Sequence, residues 1–315
     1  MRTLHRCTPW ILVLLLALAA GARAQDAAPA RLGRIADASG GVRLFDARTQ
    51  DWTKAARNRS LGPGERLAVA SGGTAQVEVG ASVLVLDGDT EIEASRLDDE
   101  RLQFTLRRGS VALRLQPPEL ELQPELITPQ ARFQPLRAGL YRIDSRADGS
   151  SGGNWQGLLR ASTPEQVLTV EPGQRVGLPA DTAQRAQWSA LQDDAFASRV
   201  LREADHPAAV PETVPADMTG AAELGRHGTW LQHPQFGWVW TPTTLPLQWE
   251  PYRFGQWTWV QPWGWTWVDA APWGFAPYHY GRWLRWDGRW VWMPGPPQPR
   301  LHTRPAPGFM PGVRR

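Results

Sequence analysis

Residues that could carry catalysis or bind a metal are few in this sequence and do not cluster. The chain after residue 24 contains five histidines, His206, His227, His233, His279 and His302. None forms the short-spaced grouping with a carboxylate or a cysteine that marks a zinc site or an activated nucleophile. Only one cysteine is present, near the N-terminus, and the glycine-rich stretches lack the lysine of a phosphate-binding loop. We therefore expect a protein that is not an enzyme, with no catalytic residue, no metal and no cofactor.

Tryptophan is the unusual feature of the composition. Fourteen of the 18 tryptophans lie between Trp230 and Trp292. Gly-x-Trp tripeptides that end at Trp230, Trp257 and Trp283 recur at steps of 27 and 26 residues, and each is followed by a second Trp-x-Trp pair. An internal repeat of this length, with alternating aromatic residues, predicts three β-hairpins.

The spacing of the tryptophans also predicts the registers of these hairpins. Residues two apart on a strand share a face, and Asp287-Gly288 predicts a two-residue type I′ turn. The expected cross-strand pairs are Trp230 with Trp240, Trp257 with Trp267, Trp259 with Trp265, Trp283 with Trp292, and Arg285 with Trp290.

Three interpretations of these indoles remain open. In the first interpretation the indoles form the core of a small module, since each indole buries about 150 to 250 Å². Alternatively, part of the set is exposed, either as a stacking platform for sugar rings or for a protein partner, or as a contact with a membrane surface. The candidate binding surface, called the tryptophan surface below, comprises Trp257, Trp259, Trp265, Trp267, Trp283, Arg285, Trp290 and Trp292.

Residues 33–180 show the period-two alternation of strands with one buried face, interrupted by glycine-bearing turns. Ala75, Val77 and Val79 are an example. The continuous apolar run 83–86 fits a strand that is covered on both faces. Two further runs, 102–106 and 111–115, predict a hairpin with its turn at 107–109. The fold class is therefore mainly β, with a β-sandwich or roll domain first.

Composition sets the remaining boundaries. Residues 1–24 combine two arginines, an apolar run and an Ala-Arg-Ala site, which predicts a cleaved signal peptide. Residues 183–204 predict one connecting helix, 205–222 a proline-bearing linker, 223–295 the tryptophan-rich hairpin module, and 296–315 a disordered Pro/Arg tail. Removing the leader leaves 31 basic and 31 acidic residues, so we expect no nucleic-acid partner.

Five short motifs occur in the β domain, at residues 61–67 (Leu-Gly-Pro-Gly-Glu-Arg-Leu), 73–77 (Gly-Thr-Ala-Gln-Val), 84–90, 108–111 (Arg-Gly-Ser-Val) and 127–129 (Ile-Thr-Pro). On these motifs, residues 33–180 resemble a FecR-type domain. Family members are β-rich and extracytoplasmic, and the best-known ones span the inner membrane and relay a signal to a cytoplasmic sigma factor. We expect neither the sigma-binding segment nor the internal membrane helix here, so the resemblance implies a periplasmic interaction module.

The tryptophan-rich half contains the patterns Tyr-x-Tyr-Gly-Arg-Trp at 278–283 and Pro-Trp-Gly-Trp-x-Trp-Val at 262–268. With these patterns it resembles a bacterial family of unknown function that often follows FecR-like domains. It supplies context and no activity.

From these features we expect a non-catalytic exported protein, periplasmic or secreted, with no membrane span in the mature chain. Its FecR-like module is expected to engage another envelope protein, and its tryptophan surface to bind or to act as a scaffold. Two alternatives remain open: a glycan or peptidoglycan binding protein, and a periplasmic component of a signalling or transport-regulation pathway.

Overall fold

A computed structural model describes residues 31–204, 211–212, 214–298, 301, 303–305, 309–310 and 313–314. The predicted signal peptide and residues 205–210 and 213 of the predicted linker lie outside this part of the chain. Within it, no helix combines the length and the apolar character needed to cross a bilayer.

The first β domain contains one short helix, α1 (Pro117–Leu120). Its strands are β1 (Gly33–Ser39), β2 (Val42–Asp46), β3 (Asp51–Lys54), β4 (Ser60–Leu61), β5 (Arg66–Val69), β6 (Thr74–Val79), β7 (Ser82–Leu86), β8 (Glu91–Leu97), β9 (Leu102–Leu115), β10 (Glu125–Ile127), β11 (Arg132–Pro135), β12 (Gly139–Arg146), β13 (Gly149–Gln156), β14 (Leu159–Ser162), β15 (Val167–Val170), β16 (Gln174–Pro179) and β17 (Gln187–Ala190).

These strands form two layers that share β9. One layer runs β4-β1-β6-β7-β9-β12-β13-β16-β17, and the other runs β3-β2-β5-β8-β9-β10-β11-β14-β15. Alternate residues of both layers, such as Leu67, Val77, Leu84 and Phe133, form a single apolar core. The mainly β fold class is thus confirmed.

β9 corrects one prediction. Residues 102–115 are one continuous strand and not a hairpin; the first half pairs with β8 and β10, and the second half with β7 and β12. The turn signal at 107–109 marks the place where the strand passes from one layer to the other. Gly109 has φ +94°, and a Cβ there would lie 2.5 Å from the Cα of Thr90, so the crossing needs glycine.

The connecting helix is shorter than the predicted 183–204. α2 spans Ala195–Ala204, and residues before it form β17, which pairs with β16 through Trp188 opposite Val176. Asp194 determines where the helix starts, because its Oδ1 accepts a hydrogen bond from the backbone N–H of Ala197 at 2.8 Å, as an N-cap does. The spacing of the apolar residues predicts one long helix, but Trp188, which is part of that spacing, lies on a strand.

The tryptophan module follows α2. Its helices are α3 (Ala221–His227) and α4 (Ala276–His279), and its strands are β18 (Gly228–His233), β19 (Gly237–Pro242), β20 (Gly255–Val260), β21 (Gly264–Asp269), β22 (Tyr280–Trp286), β23 (Arg289–Pro297) and β24 (Val313–Arg314).

The three predicted hairpins are β18–β19, β20–β21 and β22–β23. Every predicted cross-strand pair is present in the predicted register. Asp287 and Gly288 both have positive φ, at 47° and 76°, as a type I′ turn requires. The first and third hairpins join into one sheet through Trp240 opposite Trp292, whereas the second hairpin stands as a separate two-stranded sheet.

The described residues of the C-terminal tail correct the prediction in part. Disorder is predicted for residues 296–315, but β23 continues through Pro297, Leu301 forms a bridge with Gly264, and β24 pairs in parallel with β22. Residues 299–300, 302, 306–308, 311–312 and 315 lie outside the described part of the chain.

Candidate functional site

Half of the tryptophan surface lies in the core of its module. Trp283 and Trp292 are fully buried, and Trp267 and Trp290 retain 5% and 8% exposure. All four belong to one buried aromatic cluster, and Trp267, Trp283 and Trp292 pack edge-to-face or tilted against other aromatic rings. These four side chains therefore cannot form an exposed binding surface. The additional members of this cluster include Trp240, Trp249, Trp273, Tyr252 and Tyr278.

The other members of the tryptophan surface are partly accessible but offer no continuous flat face. Trp259 and Trp265 are half-buried and meet edge-to-face at 83°, with ring centroids 5.9 Å apart. The Arg304 guanidinium covers the Trp265 ring at 5.3 Å. Trp257 is half-buried and stacks on Tyr252.

Arg285 lies opposite Trp290, as the hairpin register predicts. It is exposed, and its guanidinium lies 5.1 Å from the centroid of the Trp290 ring, in a cation–π contact. The contact lies at the edge of the aromatic cluster, to which Trp290 belongs.

The two modules are joined by buried polar contacts centred on Arg34 of β1. Its Nε donates to Asn58 Oδ1 at 3.0 Å, and its Nη1 donates to Glu78 Oε2 at 2.8 Å. Its Nη2 crosses to the tryptophan module and donates to the carbonyl oxygen of Pro272 at 2.8 Å. Asn58 makes the same crossing, because its Nδ2 donates to the carbonyl oxygens of Asp269 and Ala271.

His279 of α4 completes this interface. Its Nδ1 lies 2.9 Å from the carbonyl oxygen of Phe275, and its Nε2 lies 3.2 Å from the hydroxyl of Ser60 in β4. Burial, helped by the nearby charge of Arg34, lowers the pKa of His279 to about 4. The neutral ring therefore donates from Nδ1 to Phe275 and accepts at Nε2 from Ser60.

A cleft of about 600 Å³ opens beside this interface. Its floor is the outer face of the first strand layer, on which cross-strand partners form two rows. Glu78, Val83, Arg114 and Leu140 lie opposite one another across β6, β7, β9 and β12. The next row consists of Gln76, Val85 and Ala112.

Two helices form the walls of the cleft. α2 packs on the floor through Phe196 and Val200, which contact Val85, Ala112 and Leu140. α3, the first element of the tryptophan module, forms the opposite wall. The wall residues are Arg199, Val200 and Arg202 from α2, and Ala222, Glu223 and Arg226 from α3.

Most charges in the cleft are already paired. Glu78 pairs with Arg34, Arg199 with Asp87 at 2.7 Å, and Glu223 with Arg226 at 2.7 Å. Arg114 differs, because the described part of the chain offers it no ion pair, whereas Arg199 pairs with Asp87. The Nε atoms of Arg114 and Arg199 are both buried without a hydrogen-bond partner. In the strand register Arg114 lies in the middle of the floor, between Val83 and Leu140.

One feature of the sequence indicates this cleft. The continuous apolar run 83–86 predicted a strand covered on both faces, and the structure shows Leu84 and Leu86 in the core and Val83 and Val85 on the cleft floor. Arg114 itself alternates with Leu113 and Leu115, a pattern typical of any solvent-facing residue, so nothing marked it. Across the described ranges, no group of three or more His, Cys, Asp or Glu side chains could hold a metal ion.

Comparison with known protein families finds a match in the second module. Residues 221–308 match a family described as a family of unknown function (DUF6600). The match begins at α3 and includes all three hairpins, as the resemblance of this half to a family of unknown function implied. No curated protein matches the chain.

Two solved structures from Parabacteroides distasonis ATCC 8503 were also found, both described as a "putative anti-sigma factor". They are 14% and 13% identical in sequence to this chain; each comparison covers 48% of this chain and 80% of the other, with a TM-score of 0.36. At this similarity the comparisons supply neither a ligand nor an activity.

Proposed function

We propose that this chain is a non-catalytic binding protein of the cell envelope, exported by its N-terminal leader, and that its two modules form one ligand-binding unit. The observation that carries this proposal is the cleft of about 600 Å³, which takes its floor from the β domain and its walls from α2 and α3. A volume of this size lies within the range of about 300–1,000 Å³ of small-molecule sites.

In this account the tryptophan module is mainly a scaffold. The buried Trp240 donates from Nε1 to the carbonyl oxygen of Leu224 at 2.8 Å, and Leu224 belongs to the aromatic cluster. This bond fixes α3 to the indole core. Because the contacts of Arg34, Asn58 and His279 fix the same module to the β domain, α3 is held as a cleft wall.

The resemblance to FecR-type domains supports an extracytoplasmic interaction role and the export of the chain. A glycan-binding role would use the half-buried Trp257, Trp259 and Trp265. The edge-to-face geometry and the arginine over Trp265 disfavour a sugar-stacking platform there. We therefore place ligand binding in the cleft.

The test of this function is a substitution that fills the cleft and leaves the apolar core unchanged. Ala222 is a half-buried residue of the α3 wall, so Ala222→Trp should obstruct the cleft, whereas Ala195→Trp at the exposed start of α2 is the matched control. Binding is measured with the neutral dye Nile red, the anionic dye anilinonaphthalene sulfonate and soluble peptidoglycan fragments.

We expect the protein and its Ala195→Trp variant to bind at least one dye, and Ala222→Trp to lose about tenfold or more in affinity. Equal dye binding by both variants would contradict the cleft as the site. Binding of peptidoglycan fragments that Ala222→Trp does not alter would favour the half-buried tryptophans instead.

The export part of the proposal is tested by comparing the full chain with a variant that lacks residues 1–24. We expect the full chain to be recovered from the periplasm and the variant not to be.

A further inference from the structure

We propose that the cleft binds a small anionic amphiphile, a molecule with one carboxylate or phosphate group and a hydrocarbon part, and that Arg114 holds the anionic group. This inference rests on the proposed function and adds the chemical class of the ligand. It starts from a floor residue that has no ion pair in the described part of the chain, Arg114, which lies between Val83 and Leu140 in the strand register.

The charge pairing of the cleft points to an anion. Arg114 lines the cleft and has no ion pair with any described residue, so its positive charge favours an anion there; a carboxylate or phosphate fits the bidentate geometry that arginine favours. The carboxylates that line the cleft cannot supply this contact, because Glu78 pairs with Arg34, and Glu223 pairs with Arg226 and lies 3.2 Å from His227. The same pairings leave no free carboxylate for a cationic ligand.

The apolar part of the floor points to a hydrocarbon. Val83 and Leu140 lie on the strands either side of Arg114, and Val85 and Ala112 lie in the next row. Val200 of α2 continues the apolar surface onto one wall. A head group on Arg114 would therefore place an attached chain against aliphatic side chains, whose contact with water it would remove.

Arg202 strengthens the same preference. It lies in the last turn of α2, lines the cleft, and has no ion pair with any residue in the described ranges. A second positive charge at the rim would attract an anion toward the floor, an effect that salt screens.

The test compares four probes by isothermal titration calorimetry: octyl phosphate, octanoate, the neutral octyl glucoside, and inorganic phosphate. Each is titrated into the protein, into Arg114→Gln, and into Arg48→Gln, which removes an exposed arginine on the turn between β2 and β3. Thermal unfolding of the three proteins checks that each remains folded.

We expect octyl phosphate or octanoate to bind more tightly than octyl glucoside and inorganic phosphate, and the tighter of the two identifies the head group. Arg114→Gln should weaken binding of that probe about 10- to 100-fold, and Arg48→Gln should not change it. If Arg114→Gln does not fold, the salt dependence of binding to the wild-type protein tests the proposal instead. Its affinity for the anionic amphiphile should fall as salt is added, while its affinity for octyl glucoside should not change.

The outcomes separate this inference from the proposed function. Binding of octyl glucoside as tight as that of the anionic probes, lost in Ala222→Trp but unchanged in Arg114→Gln, would keep the cleft as a binding site and overturn the anionic ligand. Inorganic phosphate that binds as tightly as octyl phosphate would overturn the hydrocarbon part. Binding that neither Ala222→Trp nor Arg114→Gln affects would overturn both proposals.

Discussion

At the scale of single residues, the interface between the modules is held by polar groups that water cannot reach. Arg34 satisfies three acceptors at once, one of them across the interface, and His279 bridges the modules as a neutral ring. Removing a partner from such a network leaves another buried polar group unsatisfied, which is why these contacts are specific as well as stabilising.

His279 makes the stability of the protein depend on pH. Its pKa is about 4 when folded, against an ordinary value of 6.5, so the unfolded chain takes up the proton first as the pH falls. The stabilisation is complete above pH 6.5 and is lost as the pH falls toward 4. A shift of this size corresponds to about 3 kcal/mol.

The measurement is urea unfolding of the protein and of His279→Gln at pH 7, 5.5 and 4. Glutamine cannot take up the proton, so we expect the wild type's advantage in unfolding free energy to shrink by about 3 kcal/mol between pH 7 and pH 4. Burial raises the pKa of Glu65 and of Asp269, but both carboxyls are common to the two proteins and cancel in the difference. Parallel pH profiles would show that His279 does not titrate in this way.

At residue scale, the sequence predicted local relations and missed distant ones. The pairing of Arg285 with Trp290 follows from a turn two residues long. The bonds from Asn58 to Asp269 and from Arg34 to Pro272 join residues 211 and 238 positions apart, and no periodicity encodes them. Buried and half-buried indoles also share the same spacing, so the sequence could not divide the tryptophan surface.

At the scale of elements, hairpin geometry fixes which indoles meet. The third hairpin places Trp283 opposite Trp292 only if its turn contains two residues, and both turn residues have positive φ. Glycine adopts this conformation without cost, whereas a residue with a Cβ does not.

We expect Gly288→Ala to destabilise the protein by about 1 kcal/mol. An added Cβ would meet no atom within 4 Å, so the effect comes from the backbone alone. Gly177→Ala is the control, because Gly177 has no positive φ and its nearest neighbour would lie 3.7 Å from the new Cβ. The midpoint of thermal unfolding should fall for the first variant only; equal midpoints would contradict the turn.

Element boundaries were predicted less well than element types. The helix predicted for 183–204 became a strand and a shorter helix because β17 completes the edge of β16 and Asp194 caps α2. The hairpin predicted at 107–109 became a strand that passes between layers. In both cases tertiary pairing decided between patterns that the local sequence allowed equally.

At the scale of the whole molecule, the cleft exists because three separate segments meet. The sheet places Arg114 between aliphatic neighbours, α2 covers one side, and the indole core holds α3 on the other. The tryptophan repeat therefore serves the site indirectly, through the position of a helix that carries no tryptophan. The sequence predicted the mainly β architecture from its periodicity, but a surface assembled from three separate segments of the chain leaves no local pattern.

The most direct test of this account is a crystal structure of the protein grown with the tighter-binding of octyl phosphate and octanoate. The account predicts the anionic group within hydrogen-bond distance, about 2.7–3.1 Å, of the Arg114 guanidinium, with the hydrocarbon against Val83, Leu140 and Val200. Density for the probe against Trp259 and Trp265, with an empty cleft, would contradict it and return binding to the tryptophan surface.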